Sequence, residues 1–197
     1  MKTIVLTALL TIGALVAAAF VFFYAGGFDI AADVPHWGIT ARVMEAVRSR
    51  SLEVHSKDVR APPGDDAALI ASGAEHYAAM CSGCHLAPDK KESEIRAGLY
   101  PKPPDLTKPT QLSNAESFWI IKHGIKMSGM PAWGVTHDDQ SIWGLVAFMR
   151  KLPELTPVQY RALLDKEAHA HHSHAHSHPD SESSPSAPPH DAQHHHP

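Results

Sequence analysis

The sequence predicts an all-α fold, and three observations carry the prediction. Apolar residues recur at helical spacing over 66–80, 118–121 and 142–152, capping residues open these stretches, and no βαβ pattern accompanies them. Breaks in composition isolate this helical middle, residues 65–165, from an apolar start at 1–27, a mixed linker at 28–64 and a polar tail at 166–197. About 100 residues is the size of one hydrophobic core, so a large multi-domain enzyme or a repeat array is excluded. The 17 Lys+Arg and 21 Asp+Glu leave a formal charge of -4 with no basic stripe, which argues against a nucleic-acid partner.

Residues 4–24 are 21 consecutive positions without a charge. At 1.5 Å per residue they span about 31 Å, the thickness of a bilayer's hydrocarbon core. The reading is a single transmembrane helix. A cleaved signal peptide is the rival, because Lys2 supplies a short basic start and Ala17, Ala18 and Ala19 resemble a cleavage site. The apolar run continues through Phe23, past the usual signal length, and favours the anchor. Lys2 is expected to stay inside while Asp29, Asp33 and the rest of the chain lie outside. In the linker, Val43, Met44, Val47 and Leu52 predict a short helix whose Arg42, Arg48 and Arg50 read as a solvated face. His36 and Trp37 are either a membrane-interface anchor or a local packing pair.

Within the middle segment a first helix is expected over 66–80, capped by Asp65 or Asp66, with Leu69, Ile70, Gly73, Tyr77 and Met80 on its apolar side. Gly73 lacks a Cβ and permits another helix to cross closely. Ser113 and Glu116 form a capping box for a helix that turns Phe118, Trp119 and Ile121 inward, with Ile120 a further candidate, and stops at Gly124. A further helix starts at Asp138 or Asp139 and ends near Lys151, ahead of Pro153, with Ile142, Leu145, Val146, Met149 and Leu152 at helical spacing. Thr156, Pro157 and Gln159 open a last short helix. Between Gly98 and Thr107, three prolines make a stiff loop.

Cys81, Ser82, Gly83, Cys84 and His85 read C-x-x-C-H, the attachment signature of c-type haem. Two thiols three positions apart can each add to a haem vinyl group, and the next residue brings its imidazole to the iron from the same face. A zinc site would need four ligands, and no second cysteine pair exists. A thioredoxin-like motif would need a βαβ setting, and a Cys81–Cys84 disulfide would close a tight loop for little stabilisation. The haem iron then has a second axial position to fill. Met130, between Gly129 and Pro131, is the best candidate because a flexible thioether can reach iron from a loop. Met127 and His123 are its weaker competitors. His76 and His137 read as surface or internally satisfied histidines.

With these motifs the segment 65–152 resembles the class I cytochrome c family, in its membrane-anchored bacterial monohaem form. The resemblance implies a small helical domain around one covalent haem c, with His85 and Met130 as axial ligands. It further implies that Gly73 and Tyr77 lie on an N-terminal helix packed against the C-terminal one, with Phe148 as partner to Tyr77. A proline-loop carbonyl, from Pro103 or Pro104, would hold the His85 N–H. Trp133 lies either beside a haem propionate or in ordinary packing.

The tail holds ten His, six Ser, five Pro and five Ala in 32 residues, too polar to bury a core, and is expected to be disordered. Its first cluster, His169, His171, His172, His174, His176 and His178, is a candidate for divalent copper, nickel or zinc. The functional expectation is a carrier of single electrons rather than an enzyme, or the cytochrome subunit of an oxidoreductase complex. It would be held as a single-pass protein on the outer, periplasmic face of a bacterial cytoplasmic membrane, between respiratory or dehydrogenase partners. The alternative is metal handling or haem-based sensing, using the tail.

Overall fold

The computed structural model describes residues 1–62 and 66–165. The tail cluster His169, His171, His172, His174, His176 and His178 lies outside the described residues. Helices account for nearly all the regular structure, and among the described residues there is no strand, only an isolated bridge between Ala87 and Lys90.

Helix α1, Lys2–Tyr24, is exposed along its whole length and is long and apolar enough to cross a membrane. Beyond it the chain folds back on itself through rings. Phe22 and Phe28 both pack on Trp37, at 6.0 and 6.3 Å between centroids, and Phe28 stacks on His36 at 6.3 Å. The linker helix α2, Gly38–Ser56, is 19 residues, longer than the short helix its spacing predicts. Two of its three arginines pair with carboxylates on the same helix, Arg48 with Glu45 and Arg50 with Glu53.

The core is built on one helix crossing. Helix α3, Ala67–His76, is capped by the Asp66 carboxylate, which accepts from the Ala68 N–H at 2.9 Å. The sequence predicts one uninterrupted helix to Met80. Instead the α-helix ends at His76, widens into a π turn over Tyr77–Cys81, and resumes as α4, Ser82–His85. The wider turn closes when the Ser82 N–H reaches back to the Tyr77 carbonyl, and such single π turns cluster at functional sites.

A short helix α5, Glu94–Ala97, is capped by Ser93. Helix α6, Asn114–His123, opens on the full Ser113/Glu116 capping box and stops at Gly124, whose φ of 66° suits a residue without a Cβ. Helix α7, Asp139–Lys151, is capped by Asp138 and buries Ile142, Leu145, Val146 and Phe148. A final helix, α8, covers 157–165, and the Thr156/Gln159 capping box closes its start through bonds of 2.9 and 3.3 Å.

Helices α3 and α7 cross where Gly73 meets Gly144, and their side chains mesh on either side. Tyr77 and Phe148 pack at 5.3 Å, and Phe148 meets Tyr160 of α8 at 6.2 Å, so the added helix closes the same core. Phe118 of α6 stacks on Trp143 of α7 at 4.3 Å. Trp119, predicted to face inward, instead packs beside His55 of α2 at 5.6 Å and beside His123 at 4.9 Å. That contact docks the linker helix on α6, with Leu52 and Ser56 buried beneath it.

Candidate functional site

The crossing helices deliver the C-x-x-C-H turn to one place. Cys81 ends the π turn, and Cys84 and His85 sit one turn further, in α4. Both thiols are free and half-buried. Burial pushes the Cys81 thiol up to about 12, with Cys84 adding to the shift, so Cys81 is protonated at neutral pH.

His85 is fixed from behind. Its Nδ1–H donates to the Pro104 carbonyl at 2.9 Å, which settles the choice between the two prolines. The neighbouring Pro103 carbonyl has another partner, the Arg96 Nε–H at 3.2 Å. With Nδ1 committed, Nε2 carries the lone pair and is the atom available to a metal. Burial lowers the His85 pKa, and the nearby Arg96 charge lowers it further against the opposing Pro104 bond. The imidazole is therefore held neutral, the form that ligates.

The chain around His85 is tied down at several further points. The Leu106 N–H donates to the His85 carbonyl at 3.2 Å. The Tyr77 hydroxyl donates to the Leu86 carbonyl at 2.8 Å, where Leu86 turns the chain out of α4 at a φ of 67° that side chains rarely adopt. The Ser93 hydroxyl donates to the Gly83 carbonyl inside the motif. Beside Pro104, Asp105 accepts from the Thr107 hydroxyl at 2.6 Å and from its N–H at 3.1 Å, and those bonds hold its carboxyl below the usual carboxylate range.

Met130 lies half-buried, packed against the same hydrophobic core as the C-x-x-C-H turn. Its N–H donates to the Ser128 hydroxyl at 3.2 Å and its carbonyl accepts from Ile125 at 3.2 Å, so the loop is pinned on both sides of its side chain. Gly124 belongs to this loop too: a Cβ there would sit 2.7 Å from the Met130 carbonyl oxygen. Met127 is 89% exposed and His123 is exposed with its ring tilted against Trp119, which removes both from the interior. Trp133 is half-buried, with its ring 5.6 Å from His137.

Residues 68–149, from α3 to the last turn of α7, match the family described as Cytochrome C oxidase, cbb3-type, subunit III. This segment is a class I c-type cytochrome domain. No curated protein matches the chain. A cytochrome c domain implies haem c, and the donor set fits that group: two unpaired thiols at the required spacing beside a neutral imidazole whose outer nitrogen is free. The match covers both the C-x-x-C-H turn and the Met130 loop of the cytochrome domain and leaves out α1, α2 and α8.

Sequence reasoning did not find Arg96, Ser93 or Asp105. Arg96 and Ser93 act through backbone carbonyls that the path of the loop brings near, which no residue spacing encodes, whereas Asp105 closes on Thr107 only two positions on. Gly144 and Tyr160 were also missed. Gly144 in an apolar helix reads as a weak helix position until its partner Gly73 is in place.

Proposed function

We propose that the protein is a membrane-tethered carrier of single electrons, with one haem c joined to Cys81 and Cys84 and ligated by His85 and Met130. The observation that supports this most is the His85 imidazole, held neutral and oriented by the Pro104 carbonyl at the end of a C-x-x-C-H turn. Haem c bound there supplies a ferrous/ferric couple. His85 Nε2 and the Met130 thioether would hold the iron, and a thioether ligand would favour the ferrous form and raise the potential. With a donor from each of these two side chains the haem would keep no open position for a substrate, and the domain would work as a carrier, alone or as a subunit of an oxidoreductase.

Helix α1 would hold the chain in a bacterial cytoplasmic membrane with the cytochrome domain on its outer, periplasmic face. Its donors would be quinol-oxidising or dehydrogenase complexes, and the oxidase in the matched family's description fits a terminal acceptor. Helix α2 then positions the domain near the membrane, because its start is packed on the end of α1 and its second half on α6.

The deciding experiment is the absorption spectrum of the full chain, matured with haem c and held in detergent, beside Met130→Ala and Met127→Ala. The expected result is a low-spin ferric spectrum with a sulfur-to-iron band that Met130→Ala loses and Met127→Ala keeps. A high-spin wild type, or a band that survives Met130→Ala, would overturn the ligand assignment.

A further inference from the structure

Two histidines away from the C-x-x-C-H turn face each other across the helix crossing. His76 is the last residue of α3, and His137 stands immediately before the α7 cap Asp138. Their ring centroids are 5.5 Å apart with the planes at 78°, and both rings are half-buried. Two imidazoles bound to one zinc through nitrogen, each metal–nitrogen bond about 2.0 Å and meeting near the tetrahedral angle, have centroids about 5 Å apart. The observed separation is within half an ångström of that value.

Each ring is also anchored through its inner nitrogen. His76 Nδ1–H donates to the Ser72 carbonyl at 2.8 Å, and His137 Nδ1 shares a 2.9 Å hydrogen bond with the Thr136 hydroxyl. The His76 bond fixes the tautomer, because a carbonyl can only accept, and leaves its Nε2 with a lone pair. An anchored Nδ1 with an open Nε2 is the arrangement in which histidines ligate transition metals. The neighbouring Asp138 carboxyl sits below the usual carboxylate range, chiefly through the Ser141 N–H, with both imidazoles adding to the effect. Its negative charge is therefore close to both rings and favours a cation between them.

We infer that His76 and His137 bind one divalent cation of the zinc or copper class through their Nε2 atoms, bridging the end of α3 to the start of α7. Among the described residues no three His, Cys, Asp or Glu side chains converge on a metal, so water completes the coordination. The bridge ties α3 to the segment that follows the Met130 loop, and it stabilises the folded state by mass action because the unfolded chain does not hold the pair together. The site uses neither of the proposed axial ligands.

The test uses the full haem-loaded chain in detergent with the ten tail histidines replaced by serine, and Zn²⁺ alone as the probe. Calorimetry at pH 7.5 is expected to show one zinc per chain, and saturating zinc is expected to raise the melting temperature. His76→Asn and His137→Asn each keep a donor in the place of Nδ1 but remove Nε2. Both are expected to weaken binding more than tenfold with the haem spectrum unchanged, while His123→Asn leaves it intact. Absence of zinc binding in the parent chain, or binding that survives both substitutions, would overturn the site. Loss of the haem spectrum in His76→Asn would point to misfolding, and His137→Asn, in the segment before the α7 cap rather than inside a helix, then decides the question alone.

Discussion

A Cβ placed on Gly73 would lie 2.0 Å from the carbonyl oxygen of Gly144, far closer than a Cβ comes to a non-bonded atom. The reverse contact is milder, since a Cβ on Gly144 would lie 3.0 Å from the Leu69 carbonyl oxygen. The crossing of α3 and α7 is therefore set by two absent side chains, and the flanking pair Tyr77 and Phe148 interlocks only because the backbones come this close.

Gly73→Ala is expected to destabilise the domain by about 1–3 kcal/mol, or more where the helices cannot separate, because the methyl group meets backbone rather than a flexible side chain. Gly144→Ala should cost less, with the Leu69 carbonyl needing to give by only a few tenths of an ångström and the better helix propensity of alanine offsetting part of the strain. Urea unfolding of the haem-loaded chain measures both. Equal midpoints for the two variants would show that the crossing is not the tight point.

Much of this fold was readable because its signals are local. Capping boxes at Ser113/Glu116 and Thr156/Gln159, the Asp66 and Asp138 caps and the stop at Gly124 each involve residues a few positions apart. The C-x-x-C-H turn is local for the same reason. What could not be read depends on where distant segments meet: Pro104 rather than Pro103 behind His85, the docking of α2 on α6 through Trp119, and the convergence of His76 with His137. The π turn between α3 and α4 was hidden as well, because its apolar spacing is close to that of an α-helix over so short a stretch.

The loop behind His85 is expected to loosen in acid. Asp105 has a folded-state pKa below its ordinary value, first through the Thr107 hydroxyl. A carboxyl shifted in that direction stabilises the fold fully above its unfolded value of about 3.9 and loses that contribution as the pH falls through the lower folded value. Thr107→Val removes the hydroxyl bond and keeps the volume. The Asp105 carboxyl, followed by carbon NMR in the reduced protein, should titrate at higher pH in the variant, and the stability gap between the two proteins should narrow from pH 7 to pH 2. Superimposable titrations would rule out the Thr107 bond as the cause.

Helix α2 is held to the cytochrome domain by a small buried contact, and that contact can be released without touching the C-x-x-C-H turn. Leu52 is buried with 7% exposure, and His55 packs on Trp119 one turn later. Leu52→Asp places a charge at a buried position, and the helix should separate locally rather than bury it. The arginines Arg42, Arg48 and Arg50 lie on this helix, and cleavage there requires it to detach and unwind. A local loss of about 1.4 kcal/mol corresponds to about tenfold faster trypsin cleavage. The expected outcome for the full chain in detergent is rapid cutting within 42–50 with the haem absorption unchanged. Cleavage at the wild-type rate would mean that α2 is held chiefly at its other end, by the rings of Phe22, Phe28 and Trp37, and Trp37→Ala would then be the variant that frees it.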